Sequence, residues 1–550
     1  MAPVKLIDRT PSAYSYPLLI KHLLRTPLIH APKQEIVYRE LKRYDYDTFA
    51  ERVGRLANTL KSLGVAPGDT IGVMDWDSHR YLECYFAIPM MGAVLHTVNI
   101  RLSPEQILYT IDHAEDDVIL VNTDFIPLLE QIRDKLKTVR KIIVLTDTET
   151  VPDVGLEIAG EYEALLRKNQ TDYDFPDFDE NAKATTFYTT GTTGLPKGVY
   201  FSHRQLVLHT LSTMGSLAGH STQGGFNSRD VYMPLTPMFH VHAWGIPYVA
   251  SLLGVKQVYP GRYVPDSILN LIKTEKVTFS HCVPTILHML LSSPLSAKVD
   301  LSAWKVIIGG SALSKGLCRT ALDRGINVFS GYGMSETCPI LTIANFKPHM
   351  SDLSLEQQVE IRCRTGLPVP LVDLRAIDSV GREQPYDGVS VGEVVARSPW
   401  LTQGYFRETE RSEELWRDGY LHTADIGFID KEGYLQVTDR IKDVIKTGGE
   451  WISSLQIEDI LTQHQAVSEA AVIGVPDEKW GERPLALVTL KEDFIGKVLE
   501  EDIKDFFKEF VGRGFISKWG IPDKVIFVDK IPRTSVGKLN KLAIRKQFSQ

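Results

Sequence analysis

Residues 188–198 read YTTGTTGLPKG, with four threonines, three glycines and one lysine in eleven positions. Gly191, Gly194 and Gly198 let backbone N–H groups come close to an anion, Thr189, Thr190, Thr192 and Thr193 add hydroxyl donors, and Lys197 adds a point charge. That combination is a cradle for nucleotide phosphate. It is not the Walker loop of NTPases, because Lys197 follows Pro196 and precedes Gly198, which breaks the G-x-x-x-x-G-K-[ST] spacing. A surface hairpin would have the same composition, so the cradle needs partners.

Partners lie downstream. In SGYGMSET (330–337), Tyr332 offers a face for a purine, Ser335 a phosphate donor and Glu336 a carboxylate for Mg²⁺. The same stretch fails the G-x-S-x-G elbow of serine hydrolases, since Thr337 takes the last position. In HTADIG (422–427), Asp425 is placed to accept both hydroxyls of a ribose. PMFHVHAW (237–244) sets His240 and His242 two apart, on one face if extended, but a metal site would need a third ligand at suitable spacing.

These stretches must be positioned by a long chain. At 550 residues it exceeds a single core, and its 43% hydrophobic and 24% charged residues are those of an ordinary globular protein. A net charge of -8 gives no electrostatic reason for nucleic acid or an anionic membrane as main partner. Five scattered cysteines without a C-x-x-C pair fit reduced thiols in the cytoplasm, and the N-terminus has no apolar run of signal-peptide length. The most apolar window, YFAIPMMGAVLHTV (85–98), is too short to span a bilayer and reads as a buried helix followed by a core strand.

From residue 70, β-branched runs alternate with helical segments: TIGVMDW, SHRYLECYFAIPMMG, AVLHTVN, DVILVN, KIIVLTD. The segment SPEQILYTIDHAE opens with Ser103 as N-cap, Pro104 at the first helical position and Gln106 to complete a capping box. The alternation resumes with DVYMPLTP, KVTFSHCVP and WKVIIGG, so the fold class is α/β, with two helix-covered, mostly parallel sheets. Residues 167–187 are expected to lead from one sheet into the other. A small β-rich region follows, then a change of character near Asp439 divides the chain into 1–438 and an α+β unit, 439–550.

Taken together, YTTGTTGLPKG, GYGMSET, GYLHTADIGFID, DRIKDVIKTGGEWIS and PRTSVGK resemble, in order and over essentially the whole chain, the adenylate-forming superfamily of acyl-CoA synthetases, luciferases and peptide-synthetase adenylation domains. The greatest similarity is to fatty acyl-CoA synthetases of the medium- to long-chain type. The resemblance implies ATP, Mg²⁺ and coenzyme A, and two half-reactions: an acid is activated as acyl-AMP, then passed to the thiol. It implies Lys538 as the cation bridging carboxylate and α-phosphate, Mg²⁺ on Glu336 and Thr189, and nucleotide contacts from Gly310, Ser311, Ala312, Gly331, Tyr332, Gly333, Ser335, Asp425, Arg440, Lys442, Lys446 and Trp451. His240 would line the carboxylate end and Trp244 the mouth of an acyl channel walled by Val241, Gly309, Gly310, Gly333, Met334 and Thr337. Gly448 and Gly449 would pass the pantetheine arm close to backbone, and Asp439 would be the pivot of a mobile C-terminal domain. Acetate-type relatives carry Trp after the Tyr of GYG, so Gly333 favours longer acids. Other functions the motifs admit are an aryl or short substituted acid–CoA ligase, an acyl-AMP ligase with a carrier-protein acceptor, a luciferase-like oxygenase and a catalytically silent binder. Relatives of this type suggest a homodimer.

Overall fold

The β-branched run Thr70–Met74 forms a fully buried strand, β1, from which a seven-stranded sheet winds both ways. β2 (Val94–Thr97) pairs with it in parallel on one side and β3 (Asp116–Asn122) on the other. β4 (Lys183–Thr189) lies parallel to β2, and β5 (Lys197–Ser202) closes the edge antiparallel to β4, with Thr189 opposite Lys197. The described ends of the phosphate-loop stretch are therefore the facing strands of a hairpin. The computed structural model describes residues 4–148, 151, 153, 155–189, 195–219, 225–350, 352–447, 450–513, 515–534 and 538–548, with backbone alone at Glu450 and Trp451.

The second sheet repeats the plan. β6 (Val231–Leu235) is flanked by Lys256–Tyr259 and by β7 (Phe279–Cys282), followed by β8 (Lys305–Ile308) and β9 (Asn327–Gly333), all parallel. β10 (Ile340–Ile343) then runs antiparallel to β9. Both sheets thus reverse their winding at one strand, β1 or β6, and α/β proteins place ligands beyond the carboxyl ends of such strands. The two ends are tied together by Asp77, just after β1: its buried carboxylate accepts the Met238 N–H from after β6 at 2.8 Å and the Tyr263 hydroxyl at 2.5 Å.

The apolar window 85–98 is a buried helix (His79–Met90) followed by β2, as its composition predicts. Ser103 and Gln106 form the expected capping box. The crossing between sheets, however, does not lie in 167–187. Lys183–Thr189 belongs to the first sheet, and the chain crosses after Ser202, through the helix His203–Ala218. The run KATTFYT is rich in threonine and reads as polar, but burial between β2 and β5 makes it a core strand.

Five antiparallel strands, among them β11 (Tyr420–Ile429) and β12 (Leu435–Arg440), make the β-rich region. The smaller C-terminal domain has its own five-stranded sheet and a core that includes Ile457, Val472, Val488 and Phe507. Two helices matter below: α1 (Lys315–Asp323), capped by Ser314, in the large domain, and α2 (Ser454–Gln463), capped by Ser453, in the small one. Among the described residues no helix is long and apolar enough to cross a membrane.

Candidate active site

Where the carboxyl ends of β6, β8 and β9 meet β10, a cavity opens. Its walls are mostly apolar, with Val241, Trp244, Val283, Ile307, Ile340 and Ile343 among them, and His240, Tyr332 and Lys538 supply polar groups. Lys538 comes from the small domain. A Cβ placed on Gly310, whose φ is +76°, would stand 3.2 Å from both Lys538 Cε and Val283 Cγ1, so the glycine leaves room for the incoming lysine. Basic residues near it behave differently: Lys541 pairs with Glu458 at 2.8 Å and Arg545 with Asp443 at 2.7 Å.

Burial, together with the Arg440 cation, pushes the Lys538 ammonium down to about 8, against the pull of Asp425 and Glu336. His240 is lowered to about 3, first by burial and then by Lys538, Arg101 and His242, so its imidazole is neutral near pH 7. It can accept a hydrogen bond or donate one, and brings no charge of its own.

Glu336 sits in a one-turn helix, Ser335–Thr337, with its side chain buried. The Tyr405 hydroxyl donates to its Oε1 at 2.7 Å, and the Thr402 N–H donates to its main-chain oxygen at 2.9 Å. The Lys197 ammonium lies 4.3 Å from the centre of the Tyr405 ring, so this tyrosine joins the carboxylate to the hairpin that carries the phosphate loop. Tyr405 was not anticipated from sequence. The only local signal is the aromatic pair after glycine in QGYFRE, and its partner is 69 residues away.

Asp425, in β11, is also buried and doubly engaged: Tyr332 donates to Oδ2 at 2.7 Å, and Arg440 Nε lies 3.2 Å from Oδ1. Burial raises its carboxyl while Arg440 and Tyr332 oppose the rise. Two carboxylates and Arg440 thus gather close to Lys538, which with Tyr332 lines the cavity. Asp439 is buried in β12; its carboxylate accepts the Arg440 N–H at 2.8 Å and the N–H and hydroxyl of Ser454 at 2.7 and 2.6 Å, tying β12 to the start of α2.

The two histidines of HVH do not share a face. Val241, His242, Ala243 and Trp244 all have φ between +47° and +59°, and Gly245 +71°, so the segment is a left-handed turn. Such a turn costs about 1–2 kcal/mol per L-residue and must be held by its surroundings. It sends His242 away from the cavity among the rings of Tyr85, Phe187 and Phe201, with centroids 6.0, 5.2 and 6.2 Å away. Among the described residues no group of three or more His, Cys, Asp or Glu side chains is arranged to hold a metal. A magnesium ion needs few protein ligands when phosphates supply the rest, so one carboxylate of Glu336 with the hydroxyl of Thr189, the last residue of β4, fits that demand.

The space above Gly309 is filled: a Cβ there would stand 2.8 Å from the Gly331 oxygen and 2.9 Å from the Trp244 indole edge. Gly331 itself abuts Ile307, with 2.9 Å between its would-be Cβ and Ile307 Cγ2. Met334 lines the cavity, the buried Thr337 hydroxyl accepts the Met334 N–H at 3.0 Å, and Ser311 and Ala312 are exposed beside it. Lys442 and Lys446 are exposed. Thr190, Gly191, Thr192, Thr193, Gly194, Gly448 and Gly449 lie outside the described residues, as does the Trp451 side chain.

Gly333 is constrained by more than pocket length. A Cβ there would fall 1.7 Å from the Pro339 oxygen. Any side chain forces the 333–339 loop apart, so Gly333→Ala should cost about 1–3 kcal/mol. The cost should appear as a drop of a few degrees in the thermal midpoint; an unchanged midpoint would contradict the close approach.

A family model described as AMP-binding enzyme matches residues 29–406, and one for the AMP-binding enzyme C-terminal domain matches residues 456–538. The chain is 42% identical over 524 residues to a long-chain-fatty-acid–CoA ligase of Thermus thermophilus, covering 94% of this chain and 93% of that one. It is 38% identical over 547 residues to a 3-methylmercaptopropionyl-CoA ligase of Ruegeria lacuscaerulensis, covering 97% of each. Among solved structures, ATP-bound MatB from Rhodopseudomonas palustris superposes with a TM-score of 0.82 at 25% identity, over 97% of this chain and 99% of that one. A cavity at the strand ends, the carboxylates gathered near its lysine and these matches over nearly the full length agree: the chain belongs to the AMP-binding enzyme family.

Proposed function

We propose that the protein is an ATP-dependent, AMP-forming fatty acid–CoA ligase that activates a medium- to long-chain carboxylic acid as acyl-AMP and passes it to coenzyme A. The observation that carries this reading is the buried Lys538 ammonium in the wall of a mostly apolar cavity. The first half-reaction must bring a carboxylate against a polyanion, and at ~4 Å with an effective dielectric near 20 each pair of unit charges repels by roughly 4 kcal/mol. Lys538 offsets that repulsion at the reacting centre, and neutral His240 orients the acid without competing for its charge. Asp425, with Arg440, takes the ribose, and the hairpin of Thr189 and Lys197 holds the leaving pyrophosphate. Magnesium, when bound, supplies Lewis-acid polarisation of the phosphates, and Glu336, fixed by Tyr405, is the carboxylate that holds it.

In this reading residues 439–550 move as a unit about Asp439, withdrawing Lys538 after adenylation and bringing KTGGEW to the thiol. The cavity walls favour an alkyl chain at about 0.8 kcal/mol per buried CH₂. The similarity to a 3-methylmercaptopropionyl-CoA ligase supports a second reading, a short substituted acid in the same cavity. Five free cysteines, four of them buried, support a reducing cytoplasmic setting, and the reading extends to a homodimer, which light scattering checks.

Pyrophosphate release across a series of carboxylic acids, with and without coenzyme A, decides between these readings. Acids of medium to long chain should give the highest kcat/KM, with AMP and thioester as products. Acetate as the best substrate would refute the assignment. Acyl-AMP formed without consumption of coenzyme A would favour a carrier-protein acceptor.

A further inference from the structure

Lys538 reaches the cavity only because the small domain is seated on the large one, and the seat is specific. The Thr462 carbonyl at the end of α2 lies 2.7 Å from where a Cβ on Gly316 would stand, in the first turn of α1. One residue earlier, the Lys315 N–H, a free donor of that helix start, donates to Asp459 Oδ1 at 3.1 Å. Asp459 is three residues, just under one turn, before Thr462 on the same helix, so one face of α2 engages two successive residues of α1. The Lys315 ammonium also pairs with Glu360 and lies 5.2 Å from the Phe515 ring, which fixes the turn from the other side. Two other contacts between the domains are made by side chains: His288 Nε2 with the Ser468 hydroxyl at 3.3 Å, and Arg533, which binds Glu469 in its own domain, with Thr285 in the large one. Flexible side chains can adjust, whereas a backbone carbonyl against a missing Cβ cannot.

We infer that Gly316 is a positioning residue for acyl-adenylate formation: its bare Cα is the seat on which α2 docks to bring Lys538 into the cavity. The inference rests on the function proposed above and adds to it the contact that selects the lysine-in orientation. Thioester formation, which in that reading uses the other orientation, does not need the seat. A residue that merely supported the fold would affect both half-reactions.

The test uses the full chain. In Gly316→Val, pyrophosphate release with the best acid should fall at least thirtyfold, while thioester formation from supplied acyl-AMP and coenzyme A stays within twofold of the parent. Asp459→Ala, which removes the acceptor of the Lys315 N–H, should show the same split with a smaller loss. An independent readout needs no turnover: Lys538, identified by mass spectrometry, should be labelled several-fold faster by an amine-acylating reagent in Gly316→Val than in the parent. Pyrophosphate release within threefold of the parent, a parallel loss of both half-reactions, or unchanged labelling of Lys538 would each overturn the inference. A parent chain that forms no acyl-AMP from any acid would instead sink the proposed function, and the labelling comparison would still judge the seat.

Discussion

Replacing Lys538 with alanine is expected to slow acyl-AMP formation by two to three orders of magnitude, while thioester formation from supplied acyl-AMP stays within a few-fold of the parent. The loss corresponds to roughly 3–4 kcal/mol of transition-state stabilisation, the size expected when a preorganised cation is removed from a water-poor site. Geometry makes the effect specific. Lys538 lines the cavity, Gly310 is bare where its Cε passes, and the nearby Lys541 and Arg545 are held by Glu458 and Asp443, so neither is free to substitute. Lys538 makes no ion pair among the described residues, and without it Asp425 keeps Arg440 and Glu336 keeps the Tyr405 hydroxyl, so folding should be little affected. Single-turnover measurement of pyrophosphate release, beside the thioester half-reaction, separates the roles. Normal acyl-AMP formation by the variant would remove Lys538 from the mechanism and leave the cavity without its cation.

What could be read from the sequence was set by the range of the interactions involved. The capping box of Ser103 and Gln106 and the buried helix before β2 follow from contacts within a few residues, and both are present. The co-ordered motifs carried the family because each is a contiguous stretch whose residue types serve one chemistry. Three features were out of reach. The threonine-rich β4 looks polar, and only its pairing with β2 and β5 makes it core, which moved the crossing between sheets to the helix after Ser202. The left-handed turn at 241–245 defies the propensities of Val, His, Ala and Trp, so nothing local announces that His242 leaves the cavity while His240 stays. Tyr405 serves Glu336 through a contact that no spacing encodes. Gly333 illustrates a subtler limit: its identity suggested an open pocket, and the structure adds a backbone approach from Pro339 that demands glycine whatever the pocket length.

The first half-reaction should also fail on the alkaline side. The ordinary ammonium of lysine holds its proton to 10.5, but burial and Arg440 bring Lys538 down to about 8. As pH rises through that value the bridging charge is lost, so kcat/KM for pyrophosphate release should fall about tenfold per unit, reaching a loss of about a hundredfold at pH 10 relative to pH 7. The assay is run without coenzyme A, whose thiol titrates in the same range (~8.5) and would cloud the limb. His240, already neutral near pH 7, contributes nothing to it. Unfolding cannot mimic the effect through this residue. Between about 8 and 10.5 the unfolded chain binds the proton that the native lysine has released, so this group makes the fold more stable as pH rises, while activity declines. Lys538→Arg separates the charge from its titration: guanidinium stays protonated throughout, so the variant should be slower at pH 7 because its fork is the wrong shape, yet lose the limb near pH 8. A profile flat to pH 10 in the parent, or a limb that survives in the arginine variant, would show that the bridging charge is not Lys538.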